Sequence, residues 1–150
     1  MPKRLVFTFV DEGVSAVAEL HEDQAPKTCA AVLSALPQTG DAHHATYSGS
    51  EVAFILDRDL GVGKENATIK VIPGDLAYAR FDGGELYGFP DAFSEVCWFY
   101  DRDTTPSMPD GPYPPNIFGT FVESFPAFVA VCRRMRREGV KRLDIRLEGE

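Results

Sequence analysis

The residues of this chain that could do chemistry fall at strand positions. Tyr47, Glu51, Tyr78, Arg80, Glu85, Tyr87 and Trp98 lead up to Tyr100, Asp101 and Arg102, and His43 and His44 stand ahead of the first tyrosine. Ligand pockets combine aromatic walls with a few fixed polar groups, and the mouth of a β-barrel is a favoured place for one. We expect His44, Tyr47, Glu51, Tyr78, Arg80, Tyr100 and Arg102 to form a ligand site. In it Arg80 or Arg102 would hold a carboxylate or carbonyl, Tyr47 and Tyr78 would wall the site, and Glu51 would accept a hydrogen bond. The ligand expected is a small polar metabolite or a short peptide. The plainer reading is that tyrosines and paired charges decorate an ordinary barrel surface.

Catalysis in the same cleft would use Glu51 or His44 as general base and a tyrosine as acid. No Ser/His/Asp or Cys/His pattern can be assigned, so no catalytic residue is named. Adjacent His43 and His44 would point to opposite faces of a strand, and with His21 and Glu51 they match no established ligand spacing. No metal or cofactor is expected. Asp57-Arg58-Asp59 before Gly61 has the look of a calcium loop, but its fifth position is glycine and Glu65 is wrongly spaced for the closing ligand. Gly61-Val62-Gly63 lacks the last glycine of a dinucleotide fingerprint. Arg133, Arg134, Arg136 and Arg137, with Lys141 and Arg142, complement the dipole at a helix C-terminus; an acidic partner or a subunit contact is the other reading. An interaction module using that helix or the Pro-rich stretch is the third functional class.

The formal net charge of −8 works against nucleic acid and anionic membranes as partners. A hydrophobic content of 44% over 150 residues suffices for one core, so a single domain over 1–150 is expected. Cys29 and Cys132 fall on apolar helical faces and Cys97 in a strand-like run, which points to reduced thiols and a cytoplasmic protein. No apolar run approaches the roughly 20 residues that span a bilayer. The amphipathic last strand and the aromatic load permit a homodimer.

Period-two alternation predicts a hairpin of Leu5–Val10, buried on both sides, and Val14–Leu20, joined at Asp11–Gly13. A helix follows from Pro26, with Cys29, Val32, Leu33 and Leu36 as its buried stripe and Glu22 and Asp23 at its positive end. Further strands are expected at His44–Tyr47, Glu51–Leu56, Ala67–Ile72, Leu76–Phe81, Glu85–Phe89, Glu95–Tyr100 and Ile117–Val122. Asp101–Asn116 carries five prolines and reads as a long loop with little capacity for ladders. Ser124 would cap a second helix with Phe125, Phe128, Val129, Cys132 and Met135 on its buried stripe, and Arg142–Leu147 closes the order. So many antiparallel strands in so short a chain predict a mainly β fold, a closed barrel capped by two helices.

That order, with Ala25-Pro26-Lys27-Thr28 opening the first helix and Tyr47-Ser48-Gly49-Ser50 as a turn, resembles the cyclophilins. The resemblance implies their antiparallel barrel. It stops at their chemistry: cyclophilins follow that turn with Phe-His-Arg and later carry Gln-Gly-Gly-Asp, whereas here the aligned positions are Val52, Ala53 and Phe54 and the second motif is missing. A guanidinium brings planar donors and a fixed charge, and phenylalanine brings neither, so no substantial prolyl isomerase activity is expected. The run His44–Val52, the Pro73-Gly74-Asp75-Leu76 turn and the Phe99–Arg102 strand end are similar to small bacterial cyclophilin-like proteins of unassigned function.

Overall fold

The structure, a computed structural model, describes residues 1–150. Its chain order is β1 (Arg4–Phe9), β2 (Val14–Leu20), α1 (Pro26–Ala35), β3 (Gln38–His44), β4 (Gly49–Ile55), β5 (Asp75–Phe81), β6 (Phe93–Thr104), β7 (Ser107–Met108), β8 (Gly111–Pro112), β9 (Asn116–Glu123), α2 (Phe125–Glu138) and β10 (Lys141–Leu147). Eight of these strands close into an antiparallel barrel in the order β1-β10-β3-β4-β6-β5-β9-β2. The expected mainly β class, with a closed barrel and two helices, is the fold observed.

Alternation explains the closure. Leu5, Phe7 and Phe9 on β1, Ala16, Ala18 and Leu20 on β2, Val52 and Phe54 on β4, Val96, Trp98 and Tyr100 on β6, and Leu143 and Ile145 on β10 all point inward. Cys29 and Val32 of α1 and Phe128, Val129, Val131, Cys132 and Met135 of α2 join the same cluster of 27 buried residues. Each large side chain in it removes enough apolar surface to contribute about 1.5–3 kcal/mol. The other face of β1 is only partly covered, so this strand is not buried on both sides as its sequence suggested.

Several expected elements shift. The strand before β4 is Gln38–His44 rather than His44–Tyr47, because β10 and β4 flank it and offer its polar backbone partners on both edges. Residues 67–72 form no strand beyond one bridge, Ala67 to Asn116, and 85–89 reduce to a bridge between Leu86 and Phe89. β6 runs on to Thr104, and the Pro-rich stretch contains the two-residue pair β7–β8. Ser124 stands at the start of α2 with φ of 60° and makes no capping hydrogen bond.

The cap on α1 also comes from elsewhere. Glu65, in the loop after β4, accepts from the N–H of Lys27 (3.2 Å) and Thr28 (2.8 Å) and from the Thr28 hydroxyl (2.8 Å). Glu22 and Asp23 are not in the first turn. A carboxylate that takes two free N–H groups at a helix start satisfies both the donors and the dipole. No helix is long and apolar enough to cross a membrane.

Candidate functional site

The outward faces of β4, β6 and β5 lie side by side, and their registers set what meets there. Ala53 pairs with Cys97, Ile55 with Glu95, and Ala79 with Glu95 from the other side. Glu51 precedes Ala53 by two residues and shares its face. At the start of β4 the register shifts between Gly49 and Glu51, a bulge that re-aims the side chains beside it. Gly49 has φ of 91°, and a Cβ there would run into the Asp103 carbonyl, so only glycine fits. Small residues at 53 and 79 beside Glu95 and Cys97 leave a recess in the sheet surface.

The Pro-rich segment 105–115 roofs that recess. Thr105 N–H donates to Ser48 O (2.9 Å), Ser107 N–H to the Ser48 hydroxyl (2.9 Å), and the Tyr113 hydroxyl to Arg80 O (2.6 Å). The Phe81 ring packs on Tyr113 at 4.8 Å and on Phe93 at 5.2 Å. Between roof and sheet, a gap of about 20 Å³ lies directly against Glu51, Glu95 and Cys97. It adjoins a cavity of about 210 Å³ bordered by His43, His44, Thr46, Tyr47 and Ala53, and another of about 430 Å³ bordered by Glu85, Asp110 and Tyr113; Phe81, Leu86 and Met108 border both.

Glu51, Glu95 and Cys97 each bring one ligand atom within 4.8 Å of the others. Glu51 is 6% exposed. Burial pushes its carboxyl up to about 7, with the Ser48 hydroxyl and the Cys97 thiol pulling weakly the other way. The single Ser48 proton goes to Ser107 O at 3.2 Å, so little of it remains for Glu51. Burial, then repulsion from Glu51, pushes Glu95 up to about 8. Burial and both carboxylates raise the Cys97 thiol well above its ordinary range. No cation offsets either acid. Two carboxyls so placed are both harder to ionise than free ones and can give or take a proton near neutrality.

Of the seven residues singled out in the sequence, the recess brings together Glu51, Tyr47 and His44. Tyr47 is 58% exposed at its rim. His44 is turned toward the barrel end: its Nδ1–H donates to Ala45 O (2.9 Å), which leaves Nε2 to accept the Tyr100 hydroxyl (2.6 Å). Burial lowers its pKa. Tyr100 is a core residue, 3% exposed.

Tyr78 points into the barrel, where its hydroxyl meets the Ser94 hydroxyl at 2.7 Å, so it does not wall the recess. Arg80 faces the same way and grips Asp59 (2.8 Å) and Asp82 (2.7 Å), leaving no free fork for a ligand. Arg102 is exposed and does not border the recess. The expected barrel-mouth arrangement thus gives way to a site on the outer wall. Parity explains it: even-numbered residues of β5 and β6 face inward, and the odd-numbered Ala79, Phe81, Glu95 and Cys97 face out. Glu95 and Cys97 carried a legible signal, since an acid on the same face as Cys97 and Phe99, in a strand covered on both sides, must be enclosed.

No match was found among curated proteins. Among solved structures, the hypothetical protein AF2241 from Archaeoglobus fulgidus has a similar fold, with a TM-score of 0.59 and 24% identity over 97% of this chain and 94% of that one. McbB, solved in complex with tryptophan, gives a TM-score of 0.65 and 13% identity over 97% of this chain, which spans 45% of McbB's length. At these identities the likeness is one of fold. A family described as "Protein of unknown function (DUF3830)" matches residues 7–147, from within β1 to the end of β10. The chain belongs to the DUF3830 family.

Proposed function

We propose that the protein binds a small organic molecule in the recess between the outer wall of β4–β6–β5 and the 105–115 segment. The observation that carries this reading is Glu51: its side chain is buried, yet it opens on a cavity and has no charged partner. Burying such a group unpaired costs stability, and a fold accepts that cost most readily where a ligand supplies the partner. Phe81, Met108, Leu86 and Tyr113 give the apolar walls a small molecule needs. McbB, whose fold is similar over 45% of its length, was solved in complex with tryptophan, which is in keeping with a small ligand.

An enzyme in the same recess is the second reading. Glu51 at about 7 and Glu95 at about 8 lie close enough to neutrality for general acid–base work. His44 is the weaker base, because its Nε2 already accepts the hydrogen bond of the Tyr100 hydroxyl.

In this reading the likeness to cyclophilins extends to architecture alone. Phe54 is 1% exposed inside the barrel, and the outward residues of β4 are Glu51, Ala53 and Ile55, none of which carries a guanidinium. A proline-peptide assay should therefore show no turnover above background, and turnover near that of a true cyclophilin refutes this part. The recess itself is tested by a thermal-shift screen against metabolites. A ligand at a hundred times its dissociation constant should add about 2.7 kcal/mol of stability. That shift should vanish in Met108→Trp, which fills the space beneath the roof; a shift that survives this substitution places the ligand elsewhere.

A further inference from the structure

The charges around the recess are one-sided. Glu51, Glu95, Glu85 and Asp110 border the three adjoining cavities; the one cation near them, Lys64, has its Nζ 3.8 Å over the Tyr113 ring and acts on Glu85, not on Glu51 or Glu95. Elsewhere in the chain, partly buried acids are answered. Asp59 has Arg80, Asp101 has Arg133 at 2.7 Å, Glu12 has Lys141 at 2.7 Å, and Glu65 has the start of α1. Glu51 and Glu95 lie beside each other without a cation to answer them.

The walls add a second constraint. Phe81 and Tyr113 are packed on one another, ring centroids 4.8 Å apart, and this pair borders the cavity together with Met108 and Leu86. A thioether and aromatic rings form a surface for a flat apolar group, which sulfur and π faces hold well. The gap against Glu51 and Glu95, about 20 Å³, has room for one polar head and not for a ring.

From these two features we infer that the ligand is an organic cation, a protonated amine or amidine head on a flat apolar body, with the head between Glu51 and Glu95 and the body against Phe81, Met108 and Tyr113. This rests on the small-molecule reading of the recess and gives it a substrate class. It also reverses the sequence expectation that an arginine would hold a ligand carboxylate, since Arg80 is already committed to Asp59 and Asp82. A carboxylate head would meet two acids and no donor of charge. Ammonium N–H groups would instead give charge-assisted bonds to both carboxyls in a site with little competing water.

The test uses two probes of similar shape and opposite charge, 2-phenylethylamine and 3-phenylpropionate, titrated calorimetrically into the purified chain at pH 8. Binding of the amine and not the acid is the expected result, with affinity weakened about ten- to a hundredfold in Glu51→Gln and in Glu95→Gln. Both are near-isosteric, and circular dichroism with a thermal melt checks that each still folds. Saturable binding of the acid, blocked by Met108→Trp, overturns the charge assignment while keeping the pocket. If neither probe nor a neutral phenylethanol binds, the pocket reading fails with it. Binding of Zn²⁺ that Cys97→Ser abolishes, without any amine binding, identifies the recess as a metal site and overturns the inference.

Discussion

Two acidic groups sit about one strand apart in this barrel and meet opposite fates. In the loop after β4, Asp59 is held by Arg80, by the Ser94 hydroxyl (2.8 Å) and by the Gly61 N–H (3.0 Å), and Ser94 in turn engages Tyr78 and the Leu60 N–H. The Arg80 guanidinium, against some burial, holds Asp59 below the usual carboxylate range. Outside, Glu51 and Glu95 have each other, a thiol and a cavity, and both are pushed far above that range. The same residue chemistry therefore serves as a structural plug where a partner is built in, and as an open valence where none is. What separates them is the face of the sheet each meets: Arg80 of β5 and Ser94 of β6 turn toward Asp59, whereas Glu51 of β4 and Glu95 of β6 turn out from the opposite face.

Losing the interior network should cost the most. Ser94→Ala leaves the Leu60 N–H without a partner and the buried Tyr78 hydroxyl with only the Val62 N–H (3.4 Å), and chemical denaturation should register a loss of about 2 kcal/mol. A loss near zero would mean that water replaces the hydroxyl, and the contrast between the two acid sites would shrink.

The outer pair should respond with the opposite sign. The folded protein holds protons on Glu51 and Glu95 at pH values where the unfolded chain, with ordinary values of 4.5, has released them. Native protons in excess make stability fall as pH rises, so their contribution is full below about 4.5 and is lost by about 8. Glu95→Gln should accordingly raise stability at pH 8, by on the order of 1–2 kcal/mol, and flatten the pH profile between 5 and 8. Buried His44 has a lowered pKa and tilts the same window the other way, which is why the difference between variant and parent is the quantity to measure. Cys97, Ser48 and Tyr113 also face this pair, and the Cys97 and Tyr113 values, raised by burial first, keep them neutral throughout the window. A profile unchanged by the substitution would show the carboxyls to be solvated.

Arg102→Ala marks the small end. The side chain is exposed and does not border the recess, so stability should shift by less than about 0.5 kcal/mol and amine binding should be unchanged. Loss of binding in this variant would bring the original barrel-mouth site back.

The barrel was legible because alternation is a local signal. Val14–Leu20, Leu76–Phe81 and Arg142–Leu147 each show their inward face in isolation, and the Cys29 and Phe128 stripes show theirs. Gln38–Ala42 has no such stripe, and its pairing with β10 and β4 comes from the fold. Ala67–Ile72 has the composition of a strand but finds no ladder, only one bridge to Asn116. For the site, residue types were readable and their sides were not. Tyr78 and Arg80 differ in parity from Ala79 and Phe81, and only the placement of the Pro-rich segment reveals which side is roofed. The cap of α1 by Glu65 escaped for a related reason, since a loop 37 residues away supplies what Glu22 and Asp23 stood closer to give.

The pairing of β1 with β10 has a bearing on how the chain comes to be folded. Leu5 lies opposite Leu147, and β10 alone joins β1 to β3. Until residues 141–147 have emerged from the ribosome, the barrel carries two open edges and an exposed aromatic interior. Contacts of such long sequence separation assemble in milliseconds to seconds rather than microseconds. A truncation that removes residues 141–147 would therefore leave an open sheet with unpaired edges at β1 and β3, the kind of surface on which chains aggregate.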